Sequence, residues 1–249
     1  MTHGDSLTLT VEATQRSLEE RLGEALVPHR DPLRPRDHYA ATDTFLAATS
    51  RHLAAIEGVL VPEVRHRVPD GHDLAHEYLH AARLLEETLA LIKGRLYGEA
   101  RAIYLSWPML WDRAHSELTE HNRLERQLVE ELIRHDDPAS VDGLARRMFD
   151  MECHGPTRPH PHTPHTGLLA LVARRMWAIA DRFWDAAEGR VIPDPVSPHH
   201  HKHDSLMGQY LVADPHFDPT ATIIEHHHRQ PPPPDATQIP PTDELRTSD

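Results

Sequence analysis

The chain has 249 residues, 39% of them apolar, with 22 prolines, a composition that allows a substantial core accompanied by extended tails. Its formal charge of −13 argues against general affinity for nucleic acid or for an anionic membrane, since both need clustered Lys and Arg. Aromatic residues are only 5% and Cys153 is the one cysteine, so the expected fold is all-α without disulfides, in a reducing, cytoplasmic setting. The first 30 residues do not read as a signal peptide, and no stretch reaches 18 apolar residues.

In chain order, residues 1–36 read as an N-terminal arm, with a short helical pattern from Leu9 to Leu26 followed by the Pro-broken connector VPHRDPLRPRD. From Asp37 to Pro62 a stronger pattern places His38, Phe45, Ala48, His52, Ile56, Val59 and Leu60 on one face at about 100° per residue. PDG at 69–71 is a turn, and the next helix, Asp73 to Tyr97, is closed by Gly98. Its core face is Ala75, Tyr78, Leu79, Ala82, Leu85, Leu89 and Ile92, with Glu86 at the edge; His72, His76 and His80 project to the opposite, solvated side.

The stretch Trp107 to His135 carries the clearest stripe: Trp107, Leu110, Trp111, Ala114, Leu118, Leu128, Val129 and Leu132. His121 and Glu125 fall inside it, one turn apart, aimed at what should be the driest part of the molecule. A buried carboxylate beside a buried imidazole costs several kcal/mol unless both are paired or bound to a cation. A metal ion accepts neutral imidazole and ionised carboxylate together; a simple buried His/Glu hydrogen bond is the alternative.

A short amphipathic piece, Ser140 to Glu152, precedes the extended run HGPTRPHPHTPHTG with His154, His160, His162 and His165. Thr163 and Pro164 suit the start of a last helix to Gly189, expected to bury Leu169, Val172, Met176, Ile179, Phe183 and Ala187, with His165 on the same side at its first turn. Residues 191–249 are rich in Pro and His and read as a tail that cannot fold alone, with a patch from Leu206 to Phe217 able to dock back on the bundle. No phosphate loop, paired CxxC, GxSxG or HExxH motif occurs.

Four amphipathic helices within 37–190 suggest an antiparallel up-down four-helix bundle, in which ion sites form from inward His and carboxylates. His52, Glu86, the pair His121 and Glu125, and His165 give each helix one contribution, and nitrogen and oxygen donors without thiolates suit iron, manganese or zinc. At EHNRLERQLVEEL and RHLAAIEGVLVPEV, with His52, Glu57, Leu60 and Pro62, the chain resembles the hemerythrin-like, or HHE cation-binding, family over roughly residues 38–188. The resemblance implies a four-helix bundle with a non-heme di-iron centre open to dioxygen, nitric oxide or peroxide. It matches His121 and Glu125 to the family's metal pair and His52 to a metal histidine. Four residues after His52 stands Ile56, and Glu57 lies about 100° further round an α-helix. The function expected is metal binding, with gas or peroxide sensing or iron holding rather than enzymatic turnover. An apo helical interaction module with tails that recruit partners is the competing expectation.

Overall fold

A computed structural model describes residues 5–27, 37–100, 102–161, 167–188, 190 and 192–198. Every element among them is helical: α1 (Asp5–Leu26), α2 (Asp37–Ala55), a π-helical turn (Ile56–Leu60), α3 (Val61–Arg67), α4 (Gly71–Leu96), α5 (Trp107–His135), α6 (Pro138–His154) and α7 (Gly167–Glu188). None of these helices is long and apolar enough to cross a membrane.

α2, the π-turn and α3 form one continuous helical rod, because both residues flanking the π-turn keep right-handed helical backbone. The rod therefore passes beyond Pro62, where the sequence suggested an end. Proline has no N–H to give the carbonyl four residues back and its ring crowds that carbonyl. The turn before it is widened accordingly, with Val61 N–H reaching back five residues to the Ile56 carbonyl. Glu57, within that turn, is buried.

α3 turns directly into α4 at Pro69–Asp70–Gly71. Asp70 adopts a left-handed φ of 56°, and a Cβ on Gly71 would lie 2.1 Å from the Val64 carbonyl oxygen, so only glycine permits this approach. At the other end of α4, Gly98 takes φ 78°, the left-handed conformation that commonly ends a helix. Ser106 caps α5 by accepting from Met109 N–H, with Pro108 in the first turn where its missing donor costs nothing.

α4 packs along α5, α1 along α2, and α6 against both α1 and α2. One apolar cluster runs through them: Phe45, Leu53, Ile56 and Leu60 of the rod, Tyr78, Leu85 and Leu89 of α4, Leu118, Leu128 and Leu132 of α5, and Leu144 and Met148 of α6. α1 adds Leu7, Val11, Leu18 and Leu22 to the same cluster, so this part of the expected arm is buried along one face. His72, His76 and His80 are exposed, as their projection predicts.

α7 is placed differently from expectation. Leu169, Val172, Met176, Ile179 and Phe183, expected in the core, are 74%, 50%, 66%, 68% and 68% exposed, and Ala187 is exposed as well. The helix turns its other side inward, burying Ala170, Ala178, Asp181 and Asp185. Ionic and hydrogen-bonded contacts fix that orientation. Arg174 pairs with Glu57 at 3.2 Å, Asp181 Oδ2 accepts from the backbone N–H groups of Thr157 and Arg158 at 2.9 and 3.1 Å, and Arg190 bridges Asp185 and Asp43 at 2.7 and 3.1 Å.

Candidate metal centre

His52, His121 and Glu125 lie in the interior at 1%, 0% and 0% exposure. Their helices bring them there because each sits on an unbroken apolar stripe, where burying the neighbours forces burial of the polar side chain too. His52 Nε2 of α2 and Glu125 Oε1 of α5 face each other at 3.0 Å. That separation suits a hydrogen bond, yet neither atom has an aligned hydrogen-bond partner. The two donors are close without pointing along one another's bond axis.

Each of the two is held from behind. His52 Nδ1 lies 2.8 Å from Glu152 Oε1 of α6, a carboxylate–histidine contact of the kind that orients metal-binding imidazoles. Glu125 Oε2 accepts from Gln15 Nε2 of α1 at 2.8 Å, and the same amide donates to the Asn122 carbonyl at 3.1 Å. Gln15 is fixed in turn by Arg126, whose Nη1 donates to Gln15 Oε1 at 2.7 Å.

His121 stands beside this pair, its ring centroid 5.9 Å from that of His52 in an edge-to-face arrangement. Its Nε2 is 2.8 Å from the Tyr78 hydroxyl. Burial, followed by the charge of Glu125, pushes the Tyr78 phenol well above its ordinary value, so it keeps its proton and donates it to His121 Nε2. The His121 Nδ1–H then faces Asn122 Oδ1 at 3.4 Å.

The electrostatics separate the two imidazoles. For His52, burial opposes the charged form, but Glu125 and Glu152 outweigh it and push the ring up to about 10. For His121, burial dominates and the neighbouring His52 adds to it, pushing the ring down to about 4. Glu125 is lowered: burial works against its charge, and His52, His121 and Gln15 overcome it. In the metal-free chain a charged His52 thus sits between two carboxylates next to a neutral His121, and a metal ion at His52 Nε2 would take the place of that ring's proton.

Of the other residues singled out by sequence, Glu86 is half-buried on α4, within electrostatic reach of Tyr78. Glu57 acts on Tyr78 in the same way. His165, like His162, lies outside the described residues. His160 is described: its Nε2 is 3.2 Å from Asp181 Oδ2 and its ring stacks on Trp177.

Sequence reasoning missed Glu152, Gln15 and the polar role of Tyr78. A signal existed for the first two. Glu152 follows Met148 by four residues and Gln15 follows Val11 by four, so both continue an apolar stripe with a polar residue, as His121 does.

The donor chemistry suits a cation of borderline hardness, with one imidazole nitrogen and one carboxylate oxygen buried, close and unaligned for bonding each other. Among the described residues, no three His, Cys, Asp or Glu side chains are grouped so as to hold one metal ion. The arrangement is therefore a two-donor nucleus flanked by His121. Compared with known protein families, with curated proteins and with solved structures, the chain matches none.

Proposed function

We propose that this protein is a metal-binding helical bundle of hemerythrin-like type, which holds non-heme iron, one ion or two, and binds or senses dioxygen, nitric oxide or peroxide, or stores the iron itself. Manganese and zinc suit the same donors. In this reading the helices that carry the site form an antiparallel up-down four-helix arrangement. The observation that carries the proposal is the His52 Nε2–Glu125 Oε1 approach of 3.0 Å, made by two buried atoms that lack an aligned hydrogen bond. With His52 neutral, two such lone-pair atoms are costly to bury unless a positive partner, a proton or a metal ion, lies between them.

His52 and Glu125 would hold the ion, with His121, Glu86 and His165 as the further donors of the set. Bound iron would supply Lewis acidity and one-electron chemistry toward a small ligand. Glu152 keeps the His52 ring in register from its far nitrogen, and Gln15 keeps Glu125 from rotating toward solvent. His121 is held neutral, the form in which an imidazole can donate a lone pair, and Tyr78 competes for that lone pair through its hydroxyl. Leu118, Leu124 and Leu128, each at most 1% exposed, line α5 on either side of the pair and exclude water.

Metal analysis of protein purified without nickel affinity, compared with a His121→Ala, Glu125→Ala double variant, tests this. The wild type is expected to retain iron and the variant to lose it; equal content in both rules the site out.

A second reading has its own support. A protonated His52 between Glu125 and Glu152 balances much of its own charge, and no three-donor group is formed among the described residues. On that reading the chain is an apo helical interaction module. It predicts thermal stability indifferent to chelators and to added metal, whereas an ion bound only by the folded state raises stability by mass action.

A further inference from the structure

We propose that the outward face of α7 pairs with the same face of a second copy of this chain. The face consists of Leu169, Val172, Met176, Ile179 and Phe183, all at least half exposed. Their spacing along the helix is three, four, three, four, the alternation of a coiled-coil seam rather than of a helix lying on a broad core. Ala186 continues it at the next step of three and is exposed.

The outward orientation is not a packing accident. The inward side is held by Arg174–Glu57, by Asp181 and Asp185 on the 157–160 loop, and by Arg190, so rolling α7 to bury its seam would strand several buried charges. The seam is left open by construction and needs a cover from outside the described part of the molecule.

Size and shape point to a second copy. At their observed exposures the five seam side chains present roughly 600 Å² of apolar surface, the upper end of what a monomer leaves open. With the Trp184 ring, 53% exposed, and the adjacent alanines, the total comes to about the 800 Å² per partner of a standard interface. One flank carries only Ala173, Ala180 and Ala187, small residues that let a second helix approach and carry no charge to desolvate. A helix with one such seam is complementary to itself under a two-fold axis. An anionic membrane is the poorer occupant, because the whole chain carries −13.

Light scattering and sedimentation of the full, untagged chain over a concentration series decide the matter. The wild type is expected to run at the mass of two chains, and a Met176→Glu, Ile179→Glu variant at the mass of one, with unchanged helical circular dichroism because both positions face solvent in the single chain, and with a thermal midpoint lower than the wild type's only by the concentration-dependent part that association adds. A Met176→Cys, Cys153→Ser chain tests the contact by oxidation: a disulfide-linked pair is expected only if the two seams meet. The proposal is overturned if the wild type is monomeric throughout, whether or not it pellets with anionic vesicles. It is equally overturned if the glutamate variant remains a dimer, or is a monomer that has lost helical circular dichroism because its own chain covered the seam.

Discussion

Two of the polar clusters buried among the described residues differ in what balances their carboxylates. At the α7 cluster, Asp181 and Asp185 have every carboxylate oxygen facing a donor or a cation: the Thr157 hydroxyl and backbone N–H, the Arg158 backbone and guanidinium, His160 and Arg190. At the centre, His52 and Glu125 each keep one atom buried, close to the other and unaligned. In the α7 cluster Arg190 Nε and Asp43 Oδ1 also lack an aligned partner, but each carboxylate there faces a permanently charged guanidinium of its own chain, so the cluster fixes the helix and asks for nothing more. A cluster with converging unaligned donors has room in its bonding for a cation. The difference separates a structural lock from a candidate site more sharply than burial alone, which both share.

Breaking the lock should have the largest effect on folding. Asp185→Ala removes one of the two buried carboxylates that face each of Arg190 and Arg158 and is expected to cost about 3 kcal/mol, read as a lowered denaturation midpoint, while metal content per folded chain stays at the wild-type level. Loss of metal with Asp185→Ala would mean that the two clusters are not independent. Glu125→Gln should reverse the pattern, with bound metal lost and stability falling by a smaller amount, about 1–2 kcal/mol, since the amide keeps the shape and can still accept from Gln15.

Acidity sharpens the comparison further in chelator-treated protein. His52 sits at about 10 when folded against an ordinary 6.5, so its stabilising contribution is complete below pH 6.5 and fades as pH rises toward 10. His121 runs the other way, at about 4 against 6.5: between these values the unfolded chain binds the extra proton, and stability falls as pH drops. Lowering of Glu125 adds to the acid side, below its ordinary 4.5. Denaturant midpoints should therefore peak near pH 6.5, and a profile flat from there to pH 10 would contradict the charged His52. The smallest effect is expected from Tyr78→Phe, which removes one hydrogen bond to His121 at a cost of about 1 kcal/mol and, by freeing His121 Nε2, should leave metal affinity undiminished in titration.

Much of the centre could be read from sequence because helical projection asks only which residues share a stripe. His52, His121 and Glu125 interrupt long apolar stripes, and the interior position follows from their neighbours. The same arithmetic applied to α1 and α6 reaches Gln15 and Glu152. The π-turn could not be read this way, since a projection at a fixed angle assumes the α-helical winding that Pro62 disturbs. The orientation of α7 was also hidden. Periodicity reveals that a helix has an apolar stripe, but which side faces inward was decided here by partners remote in sequence, Glu57, Thr157 and Asp43.

The most direct test of the central claim is an anomalous-scattering map from crystals of the untagged chain grown with iron(II). A peak is expected at metal–ligand bond length, about 2.0–2.2 Å, from both His52 Nε2 and Glu125 Oε1. Peaks confined to the histidine tracts around His199 and His226, with His52 and Glu125 joined by a direct, well-aligned hydrogen bond, would contradict it.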